Sequence, residues 1–394
     1  MAAASDKARY FLEQSVPELK EYERKKIFSR DEITSIARKR SDFEHKINAR
    51  GSTPTDYARY AEFEMNVDAL RRKRVKRLGI KSTAHNGKRR IFFIFDRGTR
   101  KHPGDVALWL QAIEFARKQR AYKKLQEIFT SVLRLHPTKP DLWIYAAQFA
   151  MEENGDMTEA RSYMQRGLRF CKRTRALWLE YARLELTYIA KIHARREILG
   201  IADGQRRAAA TSEEEENLLQ LPKLTAMDIN PDVEGHEADN SALQNLESTP
   251  ALSGAIPIAV FDAAMDQFSD PTVGYDFFNA VLEFNDLPPC RRIAYHIATR
   301  LSEKHPQSWC SQVCLIQLPL VSLPPSSPEF PSALRQALAR LKEARSEIDS
   351  PETSTWAKTW LQRLLETPEL DPAIKMVATS VLRSFNTPEL NGTT

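Results

Sequence analysis

Residues 109–115 read WLQAIEF, residues 143–149 WIYAAQF and residues 178–184 WLEYARL. Trp109, Trp143 and Trp178 stand 34 and 35 residues apart, and six residues past each come Phe115, Phe149 and Leu184. Ala112 and Ile113, Ala146 and Ala147, and Tyr181 and Ala182 fill the positions three and four past the tryptophan, so each line carries an apolar stripe at helical spacing. A second anchor precedes each tryptophan at one constant interval: Phe95 before Trp109, Phe129 before Trp143 and Met164 before Trp178. Bulky residues fixed on two successive helical segments and recurring at a 34-residue period are the signature of stacked helix hairpins.

Outward from these lines the spacing recurs. Phe261 precedes Tyr275, and Tyr295 precedes Trp309, by that same interval, and Tyr275 and Trp309 are again 34 apart. Upstream, DYARYAEFE offers Tyr57 in the tryptophan position, with Tyr60 and Phe63 three and six residues later and Phe95 as partner. From Tyr57 to Trp109 is 52 residues, and the surplus predicts a first helix that runs through MNVDALRRKRVKRL to Leu78 before GIKSTAHNG turns the chain. Pro103 and Pro137, six residues before Trp109 and Trp143, mark helix boundaries, while Lys172 fills that slot before Trp178. All sixteen anchors (Tyr57, Tyr60, Phe63, Phe95, Trp109, Phe115, Phe129, Trp143, Phe149, Met164, Trp178, Leu184, Phe261, Tyr275, Tyr295 and Trp309) are read as repeat core and not as ligand contacts.

The divisions follow. Residues 1–50 form a helical segment, with Pro17 opening one helix and Asp31 capping another; residues 51–199 are a first repeat block. Residues 200–255, with four consecutive glutamates from Glu213 and a mixture of Pro, Gly, Asn and Ser, read as an acidic flexible linker. A second block spans 256–320, and after a break at VSLPPSSPEFP residues 321–394 are again helical. Glycine is scarce, 13 in 394 residues, which favours helices throughout.

The repeats resemble half-a-tetratricopeptide repeats, called HAT repeats. The match lies in the aromatic pair followed by an acidic residue, Tyr60, Phe63 and Glu64, and in ARSYMQRGL with Arg161 and Arg166. Ordinary tetratricopeptide repeats share the period but place Gly and Ala where this chain has Ile113 and Leu125. Two units depart from the HAT pattern: Ala116 and Ala150 replace the acidic residue and Ser131 an arginine. The fold this implies is all-α, a HAT/TPR-like superhelical solenoid of antiparallel helix pairs with an N-terminal helical extension. The stretch SVPELKEYERKKIFSRDEITSIARKRSDFEHKI, leading into DYARYAEFEMNVDALRRKR, further resembles the U3 small nucleolar RNA-associated family of the small-subunit processome. That resemblance implies a nucleolar, nuclear scaffold in pre-rRNA processing and 18S maturation, with WD-repeat proteins and small nucleolar RNA or pre-rRNA as partners. The alternative is a HAT-repeat scaffold of mRNA 3'-end processing or splicing.

Charge is segregated along the chain. Between Met65 and Lys101 thirteen Lys or Arg face two Asp, a balance of +11, whereas Thr211 to Asp239 sets nine acidic residues against Lys223, a balance of −8. The run Arg71, Arg72, Lys73, Arg74, Lys76 and Arg77, joined by Lys88, Arg89 and Arg90 across the turn, is a candidate contact for RNA phosphates or an acidic partner. A solvated helix face and a nuclear localisation signal are the competing readings. No aromatic residues interleave with the cations, so contact would be to the backbone and not to bases.

Other chemistry finds little support. No GxGxxG, GxxxxGK[ST], HExxH or GxSxG occurs, and the eight histidines are scattered. Cys171, Cys290, Cys310 and Cys314 suit neither a disulfide framework nor a tetrahedral zinc site and read as reduced core thiols. No enzymatic activity, cofactor, metal, small-molecule substrate or membrane association is expected, and the absence of a leader-like or spanning apolar run points to a soluble intracellular protein.

Overall fold

The computed structural model describes residues 2–80, 86–198, 252–347, 350–367 and 370–386. The acidic stretch, through residue 251, lies outside the described residues, as does much of the GIKSTAHNG turn. Among the described residues the chain is α-helical without strands, and no helix is long and apolar enough to cross a membrane. The arrangement is that of an all-α helical-repeat solenoid, in two compact units, Met1–Pro137 and Thr138–Thr394.

The first unit holds α1 (Ala2–Glu13), α2 (Val16–Arg24), α3 (Arg30–Asn48), α4 (Pro54–Leu78), α5 (Asn86–Lys101), α6 (Val106–Lys118) and α7 (Tyr122–Leu135). Local sequence explains the boundaries. Pro17 sits in the first turn of α2 as expected, but α3 is capped by Ser29 and not Asp31. Ser29 Oγ accepts from the Glu32 N–H while the Glu32 carboxylate accepts from the Ser29 N–H, a reciprocal capping box that Asp31, already inside the helix, cannot form. Pro54 opens α4, and Gly79 in the left-handed conformation (φ 63°) closes it after Leu78, where the sequence placed its end. Asp105 caps α6 by accepting from the N–H groups of Ala107 and Leu108.

The second unit holds α8 (Pro140–Glu152), α9 (Met157–Phe170), α10 (Arg175–Ile198), α11 (Ala255–Phe268), α12 (Pro271–Leu282), α13 (Cys290–Lys304), α14 (Trp309–Gln317), a 3-10 turn (Leu318–Leu320), α15 (Phe330–Glu347), α16 (Pro351–Glu366) and α17 (Pro372–Asn386). Within each unit a helix packs on its sequence neighbour and also on the helix two along. That second contact joins α4 to α6 in the first unit, and α8, α10, α12, α14 and α16 in series in the second. Helices stacked at every second position are what a repeat array requires, because a single hairpin cannot bury both its faces. α10 packs directly on both α11 and α12, so the helices on either side of the acidic stretch belong to one body.

The anchors occupy this frame unevenly. Tyr57, Tyr60, Phe95, Trp109, Phe115, Phe129, Trp143, Phe149, Met164, Leu184 and Phe261 are buried, and Phe63, Trp178, Tyr275 and Trp309 are half-buried. The tryptophans do more than fill space: Trp109 Nε1 donates to the Pro103 carbonyl and Trp178 Nε1 to the Lys172 carbonyl, each six residues back and each at 3.0 Å. The indole thereby gives a loop carbonyl a partner, and at Pro103 the His136 ring nitrogen, 2.8 Å away, shares that carbonyl.

Tyr295 is not a core residue; it is 62% exposed. Its helix buries Ile293, Ala294, Ile297, Ala298 and Leu301 instead. The cause is register. His102-Pro103 and His136-Pro137 stand seven and six residues before Trp109 and Trp143, but His305-Pro306 stands only four and three before Trp309. Aligned on His-Pro, buried Gln312 takes the tryptophan slot and buried Ala298 the slot of the preceding anchor, held by Phe95 and Phe129 in the earlier units. Trp309 lies three residues early, at the start of α14, where it packs against Tyr275 with ring centroids 5.1 Å apart.

Candidate nucleic-acid interface

The basic cluster is built by the last turns of α4 and the first turns of α5, two helices packed against each other. Their crossing is close at Gly87, where a Cβ would lie 2.4 Å from Asp68 Oδ1, so the start of α5 rests on α4 at Asp68. From that level Lys73 to Arg77 extend five to nine residues further along α4, about 8–14 Å at 1.5 Å per residue.

The structure separates nine cations that look alike in sequence. Arg71 is buried and donates to Asp68 Oδ1 through Nε (3.0 Å) and Nη2 (2.8 Å). Arg72 is exposed but pairs with Asp68 and donates to Gln119 Oε1 at 3.2 Å. Arg74 forks onto Glu32 at 2.6 and 2.7 Å, donates to the Ile27 carbonyl at 3.0 Å, and lies 4.9 Å above the Phe28 ring. The hydrogen bond from Arg74, aided by the Ser29 N–H, pulls the Glu32 carboxyl down to about 2. Arg90 is half-buried and donates to Glu18 Oε2 at 2.8 Å. Lys73, Lys76, Arg77 and Arg89 are exposed, and among the described residues they make no ion pair; Lys88 is half-buried. Arg74 and Arg90 therefore tie helices together and Arg71 is held within α4 by Asp68, whereas Lys73, Lys76, Arg77 and Arg89 present charge to solvent.

Further ion pairs tie the first unit, one of them through Glu64, the acidic residue of the repeat pattern. Arg40, at 1% exposure the most deeply enclosed cation of the first unit, forks onto Glu64 at 2.7 and 2.8 Å and reaches Glu18 at 3.5 Å. Glu18 also accepts from the Tyr22 hydroxyl at 2.5 Å. Burial works to raise the Glu18 carboxyl, but Arg40 and Arg90 outweigh it and hold that carboxyl below its usual range. Arg97 forks onto Glu44 at about 3.0 Å and stacks on Phe11 at 4.2 Å, so α1 and α3 are both held to α5.

The same device recurs in the second unit: Arg161 forks onto fully buried Glu185 at 2.8 Å twice. Arg40 to Glu64 and Arg161 to Glu185 span the same separation of 24, and each glutamate lies seven residues past its aromatic anchor, Tyr57 or Trp178. In the intervening units the glutamate position holds Ala116 or Ala150, and the corresponding arginine position, counted back from Trp109 or Trp143, holds Phe92 or Gln126. The pair is kept whole or replaced whole, because half of it would leave a buried charge uncompensated.

These groups support binding and positioning. Among the described residues no cluster of His, Cys, Asp or Glu could hold a metal ion. The four cysteines are buried, and burial pushes Cys290 up to about 12 and Cys310 up to about 11.

Residues 12–95 match the family described as U3 small nucleolar RNA-associated protein 6. The chain is 39% identical over 199 residues to the U3 small nucleolar RNA-associated protein 6 of Schizosaccharomyces pombe, a stretch covering 50% of this chain and 41% of that protein. It is 35% identical over 190 residues to the Homo sapiens homolog, covering 47% and 32%, and 27% identical over 187 residues to that of Dictyostelium discoideum, covering 47% and 31%. The matched stretch thus spans well under half the length of these relatives. The family resemblance read from the N-terminal stretch stands on these matches.

Proposed function

We propose that this chain, whose residues 12–95 carry the U3 small nucleolar RNA-associated protein 6 signature, is a non-enzymatic scaffold of a U3-containing pre-ribosomal particle in the nucleolus. On this reading it is a subunit of the small-subunit processome that supports pre-rRNA processing and 18S maturation, its repeat faces engaging WD-repeat proteins. Lys73, Lys76, Arg77 and Arg89 contact phosphates of small nucleolar RNA or pre-rRNA. The observation that carries the RNA contact is the division of the basic run: Arg71, Arg74 and Arg90 are held by carboxylates of the fold, whereas Lys73, Lys76 and Arg77 near the end of α4 and Arg89 near the start of α5 are exposed and, among the described residues, make no ion pair.

Four phosphate contacts on a single strand give a slope of log K against log salt of about −2.8, because each releases a fraction of a condensed counterion. The test is a salt titration of single-stranded RNA binding by the whole chain and by a Lys73→Glu/Lys76→Glu/Arg77→Glu variant. The variant is expected to keep its fold and bound protein partners while the slope falls to about −0.7. An unchanged slope would remove these residues from the interface.

A further inference from the structure

We infer that the groove between α15 and α17 is a docking surface for an acidic amphipathic helix of a partner protein. The groove encloses about 770 Å³. Its apolar lining comes from Leu334, Leu338 and Leu341 on α15 and Ile374, Val377 and Val381 on α17, positions spaced three and four apart so that each helix turns one stripe inward. α17 also carries its apolar surface into solvent: Met376 is 70% exposed and Val377 50%. Leu334 and Leu341 are buried at the floor, Leu338, Ile374 and Val381 are half-buried and Val377 is open to solvent, so the groove keeps an accessible apolar strip, and such surface on a helical repeat marks a contact site.

Charge selects the occupant. The charged residues lining the groove are Arg335, Lys342 and Arg345, all basic. Arg335 and Lys342 are exposed and lie seven residues apart, so they flank the apolar floor two turns apart on the same side of α15. Arg345 closes one end, its guanidinium 5.0 Å above the Phe385 ring and donating to the Ser384 carbonyl at 3.4 Å. The walls run from Pro331 to Arg345 and from Ala373 to Phe385, which at 1.5 Å per residue is about 18–21 Å, the length of a helix of roughly fourteen residues. A helix with leucines at i, i+3, i+4 and i+7 and carboxylates beside them meets both the floor and the rim. This inference is independent of the RNA assignment, since the groove lies on α15 and α17 and the cations of the proposed RNA contact on α4 and α5.

The probe is a fourteen-residue leucine–glutamate amphipathic peptide, compared with a sister in which every glutamate is lysine, each titrated against the full chain by fluorescence anisotropy. The acidic peptide is expected to bind about tenfold tighter than the basic one, the sum of two rim contacts of about 0.5–1 kcal/mol. Arg335→Glu/Lys342→Glu, at exposed positions, should reverse that preference. Val377→Asp should weaken the acidic peptide at least tenfold with an unchanged helical circular dichroism spectrum. Equal binding of the two peptides, a preference that survives the charge swap, or no binding of either would overturn the proposal. A concentration-dependent dimer abolished by Val377→Asp, without peptide binding, would assign the face to a second copy and overturn it equally.

Discussion

Removing the guanidinium of Arg161 should cost the second unit far more than removing the carboxylate it holds. Glu185 is fully buried on α10, whereas the Arg161 side chain, on α9, keeps 25% of its surface exposed and lies 5.5 Å from the Tyr188 ring. Arg161→Ala strands a carboxylate in the core, an uncompensated buried charge worth about 3–5 kcal/mol. Glu185→Ala leaves an arginine at the edge of the stack, whose head can turn to water along its apolar stem, so the loss is about 1–2 kcal/mol. The double variant Arg161→Gln/Glu185→Ala, which copies Gln126 and Ala150 of the preceding unit, should return to within about 1 kcal/mol of the parent. A cycle closed with Arg161→Gln and Glu185→Ala as its single variants then gives a coupling of at least about 2 kcal/mol. Urea unfolding of the whole chain supplies the totals, and native-state hydrogen exchange of the α9 and α10 amides localises them. Equal costs for the two single variants, or a double variant no better than Arg161→Ala, would refute the view that the repeat keeps this pair whole because half of it is untenable.

Trp109→Phe should cost about 1 kcal/mol through loss of the Nε1 hydrogen bond to the Pro103 carbonyl, against about 3–5 kcal/mol for Trp109→Ala, both read by thermal melting. Gly167→Ala places a methyl 2.9 Å from Trp143 Cγ and should destabilise by about 1–3 kcal/mol in urea melts, despite alanine's better helix propensity. Asp56, held down to about 2 by the Lys46 hydrogen bond and the Thr53 N–H, contributes stability that is present above its ordinary value of 3.8 and lost as pH falls toward 2. Asp56→Asn should therefore lower stability by about 1 kcal/mol at pH 7, discounted for the exposed Lys46, and by little at pH 2; matched acid titrations by circular dichroism give the comparison.

Much of the fold is visible in the sequence because apolar burial repeats. Trp109, Trp143 and Trp178 announce their helices by spacing alone, and Gly79 stops α4 where the surplus over the 34-residue period required. Tyr295 has the aromatic identity of an anchor but not its register, which His305-Pro306 sets. The basic cluster was legible as a run of charge but not as a site. Whether an arginine is free depends on carboxylates brought to it by folding: Asp68 lies three residues from Arg71, but Glu32 lies 42 from Arg74 and Glu18 72 from Arg90. No local pattern reports such partners. The Arg40–Glu64 and Arg161–Glu185 pairs did leave a signal, an equal separation of 24, which becomes readable once the repeat frame is set. The groove between α15 and α17 left only α17's unusual surplus of apolar residues, Ile374, Met376, Val377, Val381, Leu382 and Phe385, on a helix with few charges.

Membership of a U3-containing particle is tested most directly by RNA recovery on the tagged chain. After purification from cells at moderate salt, quantitative amplification should show U3 small nucleolar RNA enriched over spliceosomal small nuclear RNAs, together with WD-repeat proteins in the eluate. Recovery of spliceosomal RNAs or mRNA 3'-end factors in place of U3, or of no RNA above background, would contradict that membership.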